Sequence, residues 1–290
     1  MEINDSLKQL IEKISSALNF FDFTFFISGS ASATIVFFTF YDSLFSAVTE
    51  SSNIVKIVGG LIFIYISGLL SFSAGKAIRL WLLNLSETKN SFQQSLQSAI
   101  DSLNKMSDID NTPKIPYDSN AVASLSSYIY DKMWIDVRHH HCGIDTVIYL
   151  NRFVMMQAIC EGLLFSCLLF QCSVLVTEIF DSEILVLSTK YKLLIATILL
   201  SASSLLIRNP IETLKELFHG RCSLNLFFWI LFILSAFLYI LLAAPLPTLQ
   251  KFLIPLGVVC AKICSHEAQR SAEIQIKELS IAYKKFIIND

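Results

Sequence analysis

The sequence predicts an all-α, polytopic membrane protein with about six transmembrane helices, within a range of four to six. Three observations carry that expectation. Only 16% of the residues are charged and 54% are hydrophobic, where a soluble domain carries about 25% charged residues. Several uncharged runs approach the roughly 20 residues that cross a bilayer at 1.5 Å rise per residue. Lys and Arg are placed lopsidedly around those runs, as the positive-inside rule requires. The abundance of Phe, 23 residues, suits side chains that face lipid.

Residues 1–22 read as an amphipathic N-terminal helix. Ile3, Leu7, Leu10, Ile14 and Phe21 form one stripe, and Lys8, Glu12 and Lys13 face elsewhere. No short apolar core with a cleavage site opens the chain, so no signal peptide is expected. A first pair of membrane helices is expected in 23–84. The first run, 23–41, is uncharged and holds Ser-Gly-Ser-Ala-Ser-Ala-Thr from Ser28 to Thr34. Small residues at this density let helices approach closely, or let hydroxyls line a cavity. The second run, 57–74, contains Gly59, Gly60 and Gly68, and Lys76, Arg79 and Trp81 follow it as an interfacial flank.

Residues 85–152 form the sizeable polar insertion, expected as a cytosolic helical hairpin. Phe92, Leu96, Ala99 and Leu103 share one face, the turn-rich stretch 107–120 separates the arms, and Leu125, Ile129 and Met133 belong to the second arm. The remaining membrane helices are expected in 153–264. The run 153–176 carries Glu161, flanked by Gln157 and Gln171. The run 193–207 is short and ends at Arg208-Asn209-Pro210, where a helix does not continue smoothly. The run 224–244 is the strongest candidate. The run 249–264 is the weakest, because it holds Pro255, with Lys251 and Lys262 near its ends. Residues 265–290 complete the chain as a cytosolic amphipathic helix whose seam is Ala272, Ile276, Leu279, Tyr283 and Phe286.

A six-span arrangement with the N-terminus inside puts Lys56, Lys190, Lys192 and Lys251 on one side, and the other 18 of the 22 Lys and Arg opposite. Both termini and the insertion are therefore expected in the cytosol, and the chain in an inner membrane. The seven cysteines are odd in number and most lie in apolar runs, which points to reduced thiols rather than a disulfide framework. A formal net charge of −2 leaves no field for binding bulk duplex nucleic acid.

The candidate chemistry centres on Glu161. A carboxylate inside a membrane costs roughly 2.5–3.5 kcal/mol on insertion scales, so it needs a partner or water. One reading makes Glu161, Gln157 and Gln171 the lining of a water-filled path, with Glu161 repeated as a ring of negative charge in a homo-oligomer. The other makes Glu161 a buried structural contact to hydroxyls of a neighbouring helix. A second group comprises Arg138, His139, His140 and His141, with Arg208, Arg221 and Arg270 on the same side. It suits an anionic ligand such as a nucleotide or oligonucleotide, or the lipid headgroups that flank any such topology. Cys142, Cys222, Cys264, His219 and His266 lack a repeated Cys-x-x-Cys spacing, so no metal or other cofactor is expected. No phosphate-cradling glycine loop, His-Glu-x-x-His or Gly-x-Ser-x-Gly occurs, so no enzyme is expected.

In layout the chain resembles the multi-span membrane effectors of bacterial anti-phage defence, such as CBASS-type or Hailong-type nucleotide-gated channels. The carriers are the compact all-helical chain, the small cytosolic insertion, the basic-histidine run from Arg138 to Cys142 and the helical tail. The resemblance implies an oligomeric channel whose gating by a nucleotide ligand depolarises the membrane. The alternatives are a non-conducting membrane scaffold that recruits a partner, and a small-solute transporter.

Overall fold

The computed structural model describes residues 20–40, 53–85, 101, 131, 133–138, 144–180, 187–207, 224–246 and 248–289. Every regular element among them is helical. In chain order they are α1 (Phe20–Thr39), α2 (Asn53–Leu85), α3 (Ile144–Val174), α4 (Leu187–Leu206), α5 (Leu224–Leu242) and α6 (Thr248–Asn289); a π-helical turn, Leu175–Phe180, extends α3. Five helices are long and apolar enough to cross a membrane: Asp22–Thr39, Lys56–Leu82, Asp145–Thr177, Leu187–Leu206 and Asn225–Leu242. They suggest a protein embedded in a membrane. The stretch expected as a sixth span, 249–264, is the first part of the 42-residue α6, and the helix continues through Pro255.

Several helices begin or end outside the expected apolar runs. α2 continues past Ala74 to Leu85, because nothing from Gly75 to Leu85 breaks it. α3 starts at Ile144, inside the stretch assigned to the insertion. Ile144, Val147, Ile148 and Leu150 extend its apolar content, and Asp145 sits in the first turn, where the helix dipole favours a negative charge. α4 starts at Leu187, so Lys190 and Lys192 lie in its first turns. The expected N-terminal helix lies outside the described residues apart from its last residues, which open α1. Most of the insertion also lies outside them.

The chain divides into two compact units. Unit 1 comprises 1–79 and 158–265; unit 2 comprises 80–157 and 266–290.

Within unit 1 the contacts define an alternating bundle. Ser28 meets Gly162, Ser32 meets Ser166 and Thr39 meets Ser173. These pairs keep a constant offset, so α1 and α3 run in the same direction. Arg79 meets Glu161, while Ser71 shares a hydroxyl partner with Ser166, so α2 runs opposite to α3. Gln171 packs against Gly257, and the Cys167 thiol lies near the Cys264 thiol, so α6 also runs opposite to α3. Ser201 of α4 reaches Gln171, and its end at Ile207 receives the Lys262 ammonium. α4 therefore runs with α6. Tyr239 of α5 donates its hydroxyl to the Lys251 carbonyl across the tight turn into α6. Lys262 Nζ also reaches the Leu205 carbonyl, and so occupies the acceptors that the end of α4 leaves open.

The polarity of unit 1 is that of a membrane bundle. Phe38, Ile62, Leu70, Ile198, Leu234 and Phe237 point outward, whereas Thr24, Ser28, Ser32, Ser71, Ser166 and Ser203 are buried. In water such a surface would carry a large apolar penalty; against lipid it carries none, and small polar residues pack the helices together. An apolar core of Val174, Leu175, Leu193, Ala196, Leu200, Tyr239, Ile254 and Val258 joins α3, α4, α5 and α6.

Unit 2 has its own small core. Met133, Val137, Leu150, Ala272, Ile276, Leu279 and Tyr283 are buried there, so the expected tail seam is buried at every position whose side chain is described. Burial, the negative charge of Asp136 and a hydrogen bond to Asp136 push the Tyr283 phenol up to about 12.

Candidate functional site: a buried ion pair beside a hydroxyl seam

The site begins with a glycine. A Cβ at Gly75 would lie 1.7 Å from the Glu161 carbonyl oxygen, so only a hydrogen at that position lets the α2 and α3 backbones touch. One turn further along α2, on the same face, stands Arg79. Contact at Gly75 therefore delivers the Arg79 guanidinium to the Glu161 carboxylate. Nε donates to Oε1 at 2.7 Å, with the Glu161 side chain 0% exposed and the Arg79 side chain 10%. The carboxylate thus has an opposite charge from its own chain.

A seam of hydroxyls continues from this pair along the α1–α2–α3 junction. Gly162, next to Glu161, leaves room for Ser28: a Cβ there would lie 2.4 Å from the Ser28 Cβ. Above it, Ser32 touches Ser71 at 2.6 Å and Ser166 at 2.7 Å, joining three helices through three hydroxyls. The Ser71 hydroxyl also lies 2.6 Å from the Ser67 carbonyl and the Ser166 hydroxyl 3.0 Å from the Gly162 carbonyl, so the three protons are shared among these contacts. Higher still, Thr39 and Ser173 meet at 2.5 Å. From Glu161 to Ser173 the seam rises about 18 Å at 1.5 Å per residue, against a hydrocarbon thickness of about 30 Å. The Ser28–Thr34 motif thus packs α1 closely onto its neighbours with Ser28, Gly29, Ser32 and Ala33 buried, while Ser30 and Thr34 stay exposed.

Each of the three residues expected to line one path has its own surroundings. Glu161 faces α2. Gln171, ten residues later and on a different side of α3, accepts a hydrogen bond from Ser201 of α4 at 2.5 Å. Its buried Nε2 has no hydrogen-bond partner among the described residues. Gln157 belongs to unit 2 and is half-buried. Of the ligand candidates, Arg138 is exposed in unit 2, and its guanidinium stacks over Trp134 at 4.7 Å from the ring centre. Arg270 is exposed in unit 2 and pairs with Glu267 at 3.4 Å. His139, His140, His141, Arg208 and Arg221 lie outside the described residues. Among those described, no group of three His, Cys, Asp or Glu converges to hold a metal ion.

Arg79 is the residue that sequence reasoning missed. The sequence places it in the membrane flank because the apolar run stops at Ala74. The available signal was depth: in an antiparallel pair, a cation shortly after the end of one span matches a carboxylate shortly after the start of the next.

No family model matches the chain, and no curated protein and no solved structure matches it.

Proposed function

We propose that the chain is an oligomeric channel of a bacterial inner membrane, gated from the cytosolic side by a nucleotide or oligonucleotide and depolarising the membrane when open. The observation that carries the conducting role is the Arg79–Glu161 pair at the foot of the hydroxyl seam. Charges and hydroxyls inside a membrane mark ion paths far more often than lipid-facing surfaces do. While the pair is closed, Arg79 neutralises Glu161 and the seam is dry. When α2 and α3 part, Glu161 becomes a free negative charge in a hydrated polar cleft, and its repetition around an oligomer selects cations.

Ligand control from the cytosolic side is supported by the layout resemblance and by exposed Arg138 beside the histidine run. The excess of Lys and Arg, 18 of 22 on one side, supports cytosolic termini. An even number of passes follows if the first part of α6 crosses together with the five long apolar helices.

The test is cation flux in liposomes carrying the wild type, Arg79→Gln or Glu161→Gln, with and without a cyclic dinucleotide. Wild type is expected to stay closed until the dinucleotide is added, Arg79→Gln to leak without it, and Glu161→Gln to lose cation preference. A wild type and an Arg79→Gln protein that are both silent, folded and unresponsive would sink the conducting role. The full burial of Glu161 against a partner in its own chain favours one second reading, a non-conducting scaffold. Arg79→Gln would then lower stability and pass no ions.

A further inference from the structure

α6 carries a proline in its interior, and one backbone carbonyl bears the consequence. In an α-helix the N–H of each residue donates to the carbonyl four residues earlier. Pro255 lies inside α6 and has no N–H, so the Lys251 carbonyl loses its donor, and the proline ring crowds that same carbonyl. Between membrane helices no bulk water replaces the bond, and a neighbouring helix must supply the donor. α5 supplies it: the Tyr239 hydroxyl donates to the Lys251 carbonyl at 3.1 Å. Tyr239 is 2% exposed and belongs to the apolar core with Ile254 and Val258. Beyond the proline α6 is fastened again, because the Lys262 ammonium reaches the Leu205 carbonyl of α4. Between these two fastenings stand Pro255, which donates no backbone hydrogen bond, and Gly257, which is conformationally permissive. Ahead of the proline the hold is slight: of residues 251–254 only Ile254 is buried, and Phe252 is exposed.

We propose that Tyr239, Lys251 and Pro255 form a latched hinge: the phenol stands in for the missing N–H, and its release frees residues 248–254 to pivot about Pro255. The latch is one O–H···O bond between a side chain and a carbonyl that the helix itself no longer uses. Opening it therefore breaks no further rung of the α6 backbone ladder. A neutral hydrogen bond contributes modestly to stability, so this segment opens more readily than the unbroken helix after Gly257. The segment joins α5 through the turn at 244–247, so its movement changes how α5 connects to α6. Lys262 meanwhile keeps the rest of α6 on α4. The hinge stands whether or not the chain conducts ions.

Hydrogen–deuterium exchange of the full chain in lipid nanodiscs reads the hinge through a peptide covering residues 248–258. A peptide from α3 checks that the bundle is folded. Tyr239→Phe removes one oxygen and keeps the ring; it is expected to speed exchange in 248–258 roughly fivefold and to leave α3 unchanged. Pro255→Ala returns an N–H to the Lys251 carbonyl, so exchange in the same peptide should slow below wild type. In the Pro255→Ala background, Tyr239→Phe should then have little effect, because the carbonyl keeps a backbone donor. Equal acceleration by Tyr239→Phe in both backgrounds would show that the hydroxyl acts elsewhere and overturn the latch, as would no acceleration with Pro255 present. Should Tyr239→Phe fail to fold, Pro255→Ala alone decides the hinge: exchange in 248–258 as fast as wild type, or lost protection in α3, would overturn it.

Discussion

Arg79 and Glu161 form a buried ion pair, whereas Arg270 and Glu267 pair at the surface. Taking two ions out of water costs several kcal/mol each, and their attraction repays this only while both are present and well aligned. Arg79→Ala takes the opposite charge away from a fully buried carboxylate, so it is expected to destabilise the protein by about 3–5 kcal/mol. Glu161→Leu strands the cation, whose long side chain can turn toward the membrane surface, and should cost less. Replacing both, with Arg79→Met and Glu161→Leu, should cost less than Arg79→Ala alone. Thermal unfolding in detergent measures all three. An Arg79→Ala protein as stable as wild type would mean that the 2.7 Å contact contributes nothing.

The residue scale also marks what the sequence could show about the site. Glu161 was legible, since a carboxylate in an apolar run stands out without any structure. Its partner was not. Arg79 looks like any basic residue at the end of a span, and only the backbone contact at Gly75 shows that it turns inward. Gln171 was legible as polar but not as a contact to Ser201, because the facing helix is thirty residues away in sequence.

At the scale of elements, the helices are held by close approach as much as by side-chain bulk. A Cβ at Gly68 would lie 1.9 Å from the Phe25 carbonyl oxygen, whereas one at Gly59 on the same helix meets nothing within 4 Å. The two glycines therefore predict opposite results. Gly68→Ala must push α1 and α2 apart, and should destabilise by at least the roughly 1–3 kcal/mol of ordinary overpacking. Gly59→Ala adds a methyl group in open space and removes a flexible residue from a helix, so it should be neutral or stabilising by up to about 1 kcal/mol. Melting temperatures of the two variants check this, and equal losses would contradict the asymmetry. Composition alone could not separate these glycines, because both sit in one apolar run.

At the scale of the whole molecule, α1 enters unit 1 at the end where α6 leaves it, as the alternating contacts require. If the first part of α6 crosses with the others, α1 starts and α6 leaves unit 1 on one side of the membrane, although α6 is not among the five helices selected by length and composition. Reporter fusions at residues 1 and 290 are expected to report the same cytosolic compartment. A C-terminal reporter on the opposite face would reduce the count to five passes, with the beginning of α6 lying along the membrane. The sum of hydropathy leaves this open, because Pro255, Lys251 and Lys262 all weigh against 249–264. Yet Lys262 is occupied by the carbonyls at the end of α4, which offsets much of the cost of placing it there.

The sequence by itself determined the class, all-helical with several apolar spans, because depletion of charge and run length depend on composition and order alone. It also determined the buried seam of the tail, because a 3.5-residue period needs no partner to be read. The tertiary structure alone decided which polar groups meet. Glycine contacts set helix separation, helix directions set depth, and together they bring Arg79 to Glu161 and Ser32 to Ser71 and Ser166. Each pair joins residues far apart in the chain, and no local pattern encodes which distant side chain will stand opposite.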